Sequence, residues 1–214
     1  MNHNHLLIFT ALLSTGAQGA SLSGSNTTPL QWGNAGSTTI TSGEVTEFPS
    51  PISFTGVDAN EIITDVSVTL PFGTGHTFAD DLEITLEFGA VVIDLLIDAG
   101  GNDNIAGPIT FAAGNAVIPD LGSNGLDLPI TGTFDVSIFD TRATTAPGTT
   151  DSGLDAFDGL SPNGTWNLHV FDDATGSTGS FAGWSIDITT ETVPEPSSIL
   201  LLSGAGLLAL RRRR

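Results

Sequence analysis

Residues 157–188 read FDGLSPNGTWNLHVFDDATGSTGSFAGWSIDI, and this stretch decides the fold class. It contains two runs in which apolar residues alternate with other residues, and each run begins with a tryptophan, Trp166 or Trp184. Strict alternation indicates β-strands that have one face in a core and the other in water. Both indole rings fall on the apolar face, so we expect them to lie in the core. Between the runs, Asp, Gly and Ser residues predict tight turns.

The same period of two continues upstream of this stretch. Clusters of Gly, Pro and Asp separate the alternating runs, and no segment before the C-terminal tail shows a helical period with caps. Repeated half-buried strands predict two antiparallel sheets packed face to face, which is an all-β sandwich in a single domain. Residues 21–51 are more weakly patterned, and we interpret them as leading strands and loops of the sandwich. The further alternating runs lie at 66–70, 82–88, 91–97 and 134–138.

The composition excludes several classes of function. The chain has 214 residues and a formal net charge of -19, with 24 acidic residues against five basic ones. A nucleic-acid-binding surface needs clustered Lys and Arg, so we expect no nucleic-acid partner. The absence of Cys excludes thiol catalysis. Four of the five basic residues lie at 211–214 and the fifth is Arg142, so the acids of the body are interpreted mostly as a solvated surface.

The N-terminal residues 1–20 have the pattern of a signal peptide. Residues 6–13 are apolar, and small residues follow them as far as Gly19 and Ala20, where a signal peptidase would cut. No Lys or Arg precedes the apolar run. The sequence therefore predicts export with signal peptidase as a processing partner, and the alternative is a buried N-terminal segment.

Two segments resemble the P domain, also called Homo B, which follows the catalytic domain in proprotein convertases and in many bacterial subtilisin-like proteases. The first begins with His-Thr-Phe and continues with Asp-Leu and an alternating strand, and the second is the stretch at 157–188. The resemblance covers a P-domain-like sandwich at about 52–190 and implies a jelly roll of about eight antiparallel strands. The motif positions with structural roles are His76, Asp81, Leu82, Gly164, Trp166 and Trp184.

The C-terminal residues 191–214 resemble the PEP-CTERM sorting signal, in which a Pro-Glu-Pro motif precedes a short apolar helix and a basic end. The apolar run is shorter than the roughly 20 residues of a standard spanning helix. In that family the tail is a transient inner-membrane anchor that an exosortase recognises near the motif and removes. The resemblance implies a Gram-negative bacterium and delivery to the cell surface or extracellular matrix. The parts are the motif at 193–196 with Pro194, Glu195 and Pro196, the apolar run at 199–210 and the basic end at 211–214.

Catalysis is not expected from this chain. In its usual setting the P domain is not the protease, because the triad belongs to a preceding catalytic domain. His169 has the parity opposite to Trp166 and is expected to face solvent, while His76 lies in a Gly-rich turn. No Gly-x-Ser-x-Gly elbow occurs, and no pair of carboxylates is singled out for glycoside hydrolysis. The sequence therefore predicts no catalytic residues.

Calcium is the one cofactor that the sequence suggests. Ca²⁺ prefers loops that offer several oxygen donors, and the loops DAGGNDN and FDDATGS have that character. Bound calcium is also frequent in bacterial P domains, so the resemblance points the same way. The alternative is that these acids are solvated turn residues. The candidate ligands are Asp81, Asp98, Asp103, Asp172 and Asp173.

Three functions remain open at this stage. The first is a noncatalytic secreted protein built on a solitary P domain, which acts by binding, assembly or stabilisation of a protein or exopolysaccharide partner. The second is a glycan-binding, lectin-like module, although Tyr is absent and only Trp32 is left to form a sugar platform. The third is an accessory that acts in trans on a separate subtilisin-like protease.

Overall fold

The structure, a computed structural model, describes residues 19–32, 49–120, 129–139, 153–174, 177 and 179–194. These ranges are all-β, as the alternation predicts, and they contain no α-helix. Two short 3₁₀ turns, Ala79–Asp81 and Leu154–Phe157, are the helical elements of the described part. Within it, no helix has the length and apolar character needed to cross a membrane. Residues 1–18 of the predicted signal peptide and the predicted C-terminal helix fall outside the described residues.

The described residues form more strands than the eight or so that the resemblance implies, because several strands of two to four residues are too short to show alternation. In chain order they are β1 Ser21–Asn26, β2 Leu30–Trp32, β3 Ser50–Phe54, β4 Glu61–Leu70, β5 Phe72–Gly75, β6 Leu82–Phe88, β7 Val91–Ile97, β8 Ile105–Ala112, β9 Ile130–Phe134, β10 Ser137–Ile138, β11 Gly164–Asp172, β12 Gly179–Phe181 and β13 Trp184–Thr192.

Two five-stranded sheets form a sandwich. The first sheet has the order β1-β13-β4-β8-β9, and the second has the order β10-β7-β6-β11-β3. A small third sheet has the order β2-β12-β5. The prediction of purely antiparallel sheets is wrong at two places, since β9 pairs with β8 and β10 pairs with β7 in parallel. Both are short strands reached by longer connections, and connection length is what permits a parallel partner.

The core lies between the two large sheets, and both tryptophans are in it. Trp166 is 0% exposed and Trp184 is 1% exposed. The Trp166 ring stacks on Phe88 and meets the edge of Phe157 at a centroid distance of 4.8 Å. The indole nitrogen of Trp184 donates a hydrogen bond of 3.0 Å to the hydroxyl of Ser50, so its one polar atom is paired inside the core.

Part of the outer face of the second sheet is also buried, which corrects the expectation of half-exposed strands there. Glu83 and Thr85 lie on β6 opposite in parity to the core residues, yet each is 0% exposed. Thr85 donates to the carboxylate of Asp94 at 2.9 Å, and the Nε2 atom of His169 lies 2.9 Å from the carboxylate of Glu87. The expectation that His169 faces solvent is therefore wrong. Parity fixes the face on which a side chain lies, but it does not reveal whether other parts of the chain cover that face.

Candidate functional site

Three loops meet at one corner of the sandwich, and backbone hydrogen bonds hold them together. The amide of Ala79 donates to the carbonyl of Asp103 at 3.1 Å, which ties the Ala79–Asp81 turn to the loop after β7. The amide of Asp173 donates to the carbonyl of Asp81 at 2.9 Å, which ties the same turn to the end of β11. We call this region the acidic corner and define it by the carboxylates of Asp80, Asp81, Glu83, Asp172 and Asp173.

A buried histidine and aspartate pair lies beneath this corner. The Nε2 atom of His76 is 3.2 Å from Oδ2 of Asp172, and the side chains of both residues are 0% exposed. The Nδ1 atom of the same ring is 2.6 Å from the carbonyl oxygen of Phe78. The second oxygen of Asp172 accepts from the amide of Ala174 at 3.2 Å. Both ring nitrogens of His76 are therefore engaged in fixing the turn against β11, and neither is left to take a proton from a substrate.

The carboxylates of the acidic corner disturb one another's ionisation. The pKa of Asp81 is raised to about 6, mainly by burial and then by the charge of Asp172, while His76 acts in the opposite direction. Burial also raises the pKa of Asp173 to about 6, with Glu83 as the strongest of the neighbouring charges. Desolvation and like charges both disfavour the ionised form. The corner is thus a place where negative charge is held at a cost in free energy.

The structure brings together some of the predicted calcium ligands. Asp81, Asp172 and Asp173 lie in the acidic corner, and Asp103 contributes its backbone carbonyl there. The side chain of Asp103 is buried, and its Oδ1 atom has no hydrogen-bond partner. Asp98 follows β7 with a positive φ of 47°, and it is not among the residues that define the acidic corner. In the part of the chain that the structure describes, no three His, Asp or Glu side chains are positioned to hold one metal ion.

The other residues singled out in the two sequence motifs either lie at structural positions or fall outside the described ranges. Leu82 is 0% exposed and belongs to the core. Gly164 has a φ of 149°, and a Cβ atom there would lie 2.8 Å from the ring of Phe88. Only glycine allows β11 to begin so close to that ring. Pro194 is the last described residue, whereas Glu195 and Pro196 lie outside the described ranges.

Sequence reasoning missed two members of the acidic corner, Asp80 and Glu83. Asp80 directly precedes Asp81, and Glu83 has outward parity on β6, so both were interpreted as solvated. The density of four acids within residues 80–87 was a signal for this charge concentration. It gave no indication that β11 would add Asp172 and Asp173 to the same place, because that pairing joins residues far apart in the chain.

Comparison with known families identifies the tail. Residues 192–214 match the family model of the PEP-CTERM protein-sorting motif. No curated protein matches the chain, and no family match supports the P-domain resemblance of the sandwich. The sorting motif implies processing by an exosortase and delivery to the cell surface or extracellular matrix of a Gram-negative bacterium. The chain is therefore an all-β sandwich that carries a PEP-CTERM sorting motif directly after its last strand.

Proposed function

We propose that the sandwich is a noncatalytic module, built like a solitary jelly-roll P domain, that binds a partner or supports its assembly after exosortase sorting. The burial of both described imidazole rings carries this proposal. His76 is 2% exposed and His169 is 4% exposed, and each ring bonds a carboxylate. A general base has to reach a proton on a bound substrate, and rings held in this way are poorly placed to do so.

Two measurements test this proposal. The purified protein is assayed with casein and short peptides, and we expect no turnover. Turnover that H76N or H169N abolishes would identify a catalytic histidine and overturn the noncatalytic role. In the second measurement the protein is added to cells that lack its gene, and we expect washed cells to retain it. Complete recovery in the wash would contradict a binding role at the surface.

We further propose calcium as a ligand of the acidic corner. Support comes from the carboxylates of Asp81 and Asp173, whose pKa values are raised to about 6, first by burial and then by the neighbouring negative charges. Carboxylate and carbonyl oxygens are the donors that Ca²⁺ prefers. No three such side chains surround one point in the described ranges, so binding would require Asp81 and Asp173 to draw closer together.

The glycan-binding alternative has less support within the described residues. Two of their aromatic side chains are strongly exposed, Phe72 at 44% and Phe139 at 45%. Phe72 belongs to β5 of the small sheet and Phe139 follows β10 of the second large sheet, so they do not share one sheet face. The side chain of Trp32 lies outside the described set. The accessory role in trans stays a prediction, and a neighbouring gene for a subtilisin-like protease that lacks a P domain would favour it.

A further inference from the structure

The last strand of the sandwich runs directly into the sorting motif. Strand β13 stays paired with β4 as far as Thr192, which lies opposite Glu61. The amide of Val193 then donates to the carbonyl of Asn60 at 2.8 Å. Pro194, the first residue of the Pro-Glu-Pro motif, comes next. No unpaired spacer therefore separates the folded sheet from the motif that the exosortase recognises.

One side chain holds this end of β13 in place. The carboxylate of Glu61 accepts hydrogen bonds from the hydroxyls of Thr190 and Thr192, each at 2.5 Å. The bond from Thr190 and then the bond from Thr192 lower the pKa of Glu61, against a small opposing effect of burial. The carboxylate is therefore ionised at neutral pH and makes charge-assisted hydrogen bonds. We call Glu61, Thr190 and Thr192 the Glu61 clamp.

The segment under the clamp is separable from the rest of β13. The register of β13 on β4 shifts between Thr189 and Thr190, so the ladder is interrupted just before its last pairs. On the other edge of β13, the amide of Thr190 donates to the carbonyl of Ala20 at 2.9 Å. In the described residues the pairing with the N-terminal strand goes no further than this bond. Beyond Thr190, β4 and the clamp are what hold β13, and such an end opens more easily than a central strand.

Tail processing has to compete with this pairing. A protease binds its substrate chain in an extended form and uses the backbone groups that a sheet partner would otherwise occupy. The residues before the Pro-Glu-Pro motif are paired with β4, so the enzyme can bind their backbone groups only when the end of β13 opens. Local opening of a strand end is an equilibrium, and each lost hydrogen bond shifts it toward the open form.

We propose that Glu61 is a positioning residue for exosortase processing, and that its clamp on Thr190 and Thr192 sets the rate of tail removal by holding the chain before the motif in the sheet. This proposal rests on exosortase sorting of the chain. It does not require the sandwich to be a P domain or to bind calcium. The rate of release from the membrane is then set by how often the clamp opens, and not only by how fast the tail reaches the enzyme.

The experiment compares removal rates of the tail among full-length variants in a host that carries an exosortase. E61A removes the clamp, and E61Q keeps one acceptor oxygen. T190V changes the volume little and removes the hydroxyl that donates to Glu61, which also lies 3.3 Å from the backbone nitrogen and oxygen of Ala20. These positions lie outside the matched motif at 192–214, so they leave its recognition sequence intact. The matched controls are E191Q, which removes an exposed carboxylate from the same strand end, and T64V, which removes the bond from Thr64 to the carbonyl of Thr189.

Pulse labelling and intact mass give the removal rate, and hydrogen exchange of the Val193 amide gives the opening of the strand end. We expect E61A to raise the removal rate of the tail and the exchange rate of the Val193 amide by about fivefold each, which is the effect of losing one typical hydrogen bond. E61Q should be intermediate, E191Q and T64V should match the wild type, and the E61A/T190V double variant should add little to E61A. An unchanged melting temperature of the E61A protein would show that the variant opens the strand end locally and does not destabilise the whole sandwich.

Three outcomes overturn the proposal. Faster exchange of Val193 with an unchanged removal rate would show that opening of β13 does not limit processing. Additive effects of E61A and T190V would show that they do not act through one clamp. A wild-type chain that keeps its full mass in the exosortase host, as in a host without the enzyme, would overturn exosortase sorting itself and the clamp with it.

Discussion

Trp166 stacks face to face on Phe88, with ring centroids 4.1 Å apart and an angle of 11° between the planes. The two residues are direct partners across β11 and β6, so the stack joins the central strands of the second sheet inside the core. Trp166→Ala should lower the free energy of unfolding by about 3–5 kcal/mol, because it removes the stack and leaves a cavity. Denaturant unfolding measures this loss. Thr165→Ala, at the exposed neighbouring position, should change the same quantity by less than about 0.5 kcal/mol.

The glycine before that stack gives a second prediction. Gly164→Ala should destabilise the protein by at least about 1 kcal/mol, because φ is 149° and the new Cβ would lie 2.8 Å from the Phe88 ring. Gly153→Ala is the control, since a Cβ atom there meets nothing within 4 Å. Thermal melting of both variants side by side is the measurement. Equal melting temperatures would contradict a steric role for Gly164.

The pair of His76 and Asp172 predicts a graded response. Asp172→Ala leaves the buried Nε2 atom of His76 without this acceptor and should cost about 1–3 kcal/mol of unfolding free energy. Asp172→Asn keeps an acceptor oxygen of similar shape and should retain most of the stability. Chemical denaturation of the two variants tests the order. A larger loss for Asp172→Asn than for Asp172→Ala would contradict the hydrogen bond as the stabilising contact.

The acidic corner predicts that mild acid stabilises the sandwich locally. The folded pKa values of Asp81 and Asp173 are about 6, above the ordinary Asp pKa of 3.8, so the folded state binds these protons more tightly. Their contribution to stability is therefore greatest below the unfolded pKa and is lost as pH rises through 6. D81N/D173N should abolish a rise in melting temperature of about 2–4 °C between pH 7.5 and pH 5. A rise of the same size in the double variant would assign it to other groups.

Glu61 predicts the opposite dependence at lower pH. Its folded pKa is lowered from 4.5, so its contribution is present above the unfolded pKa and is lost as pH falls through the folded value. The exchange rate of the Val193 amide, corrected for intrinsic exchange, should therefore rise in the wild type as pH falls through the folded pKa of Glu61. E61A should show no such step. A step that persists in E61A would place the titrating group elsewhere.

Calcium should raise the melting temperature if it binds the acidic corner. At about ten times its dissociation constant, an ion that binds only the folded protein raises the melting temperature of a domain this size by about 3–6 °C. D81N/D173N should remove the response, and E191Q, which changes an exposed acid far along β13, should keep it. Equal melting curves of the wild type with and without millimolar calcium would contradict the proposed site.

The sequence predictions succeeded where neighbouring residues in the chain determine the structure. They failed where contacts between distant parts of the chain determine it. Alternation around Trp166 and Trp184 is a local property, and it predicted the strands and the core face correctly. The burial of His169 depends on what covers the outer side of the second sheet, and no local pattern carries that information. The run at 134–138 was predicted as one strand, whereas the structure divides it between the end of β9 and β10, whose two residues pair with β7 about 40 positions earlier in the chain.

The candidate site was predicted only in part. Asp81, Asp172 and Asp173 were named from loop composition, and the structure brings them together. Asp98 was named on the same ground, but composition does not determine the direction of a side chain. The Glu61 clamp was not predicted at all, because it joins residues about 130 positions apart and its signature, Thr-x-Thr beside a lone Glu, is common in exposed strands.

The pairing of β1 with β13 has a consequence for export. Ser21 on β1 lies opposite Thr189 on β13, so β1 finds its partner strand in the first sheet only when nearly the whole chain is available. Contacts of such high sequence separation make folding slow. A chain that crosses a membrane from its N-terminus would emerge with β1 unpaired and would stay translocation-competent until β13 follows. The topology therefore makes completion of the first sheet a late step in folding, after most of the chain has emerged.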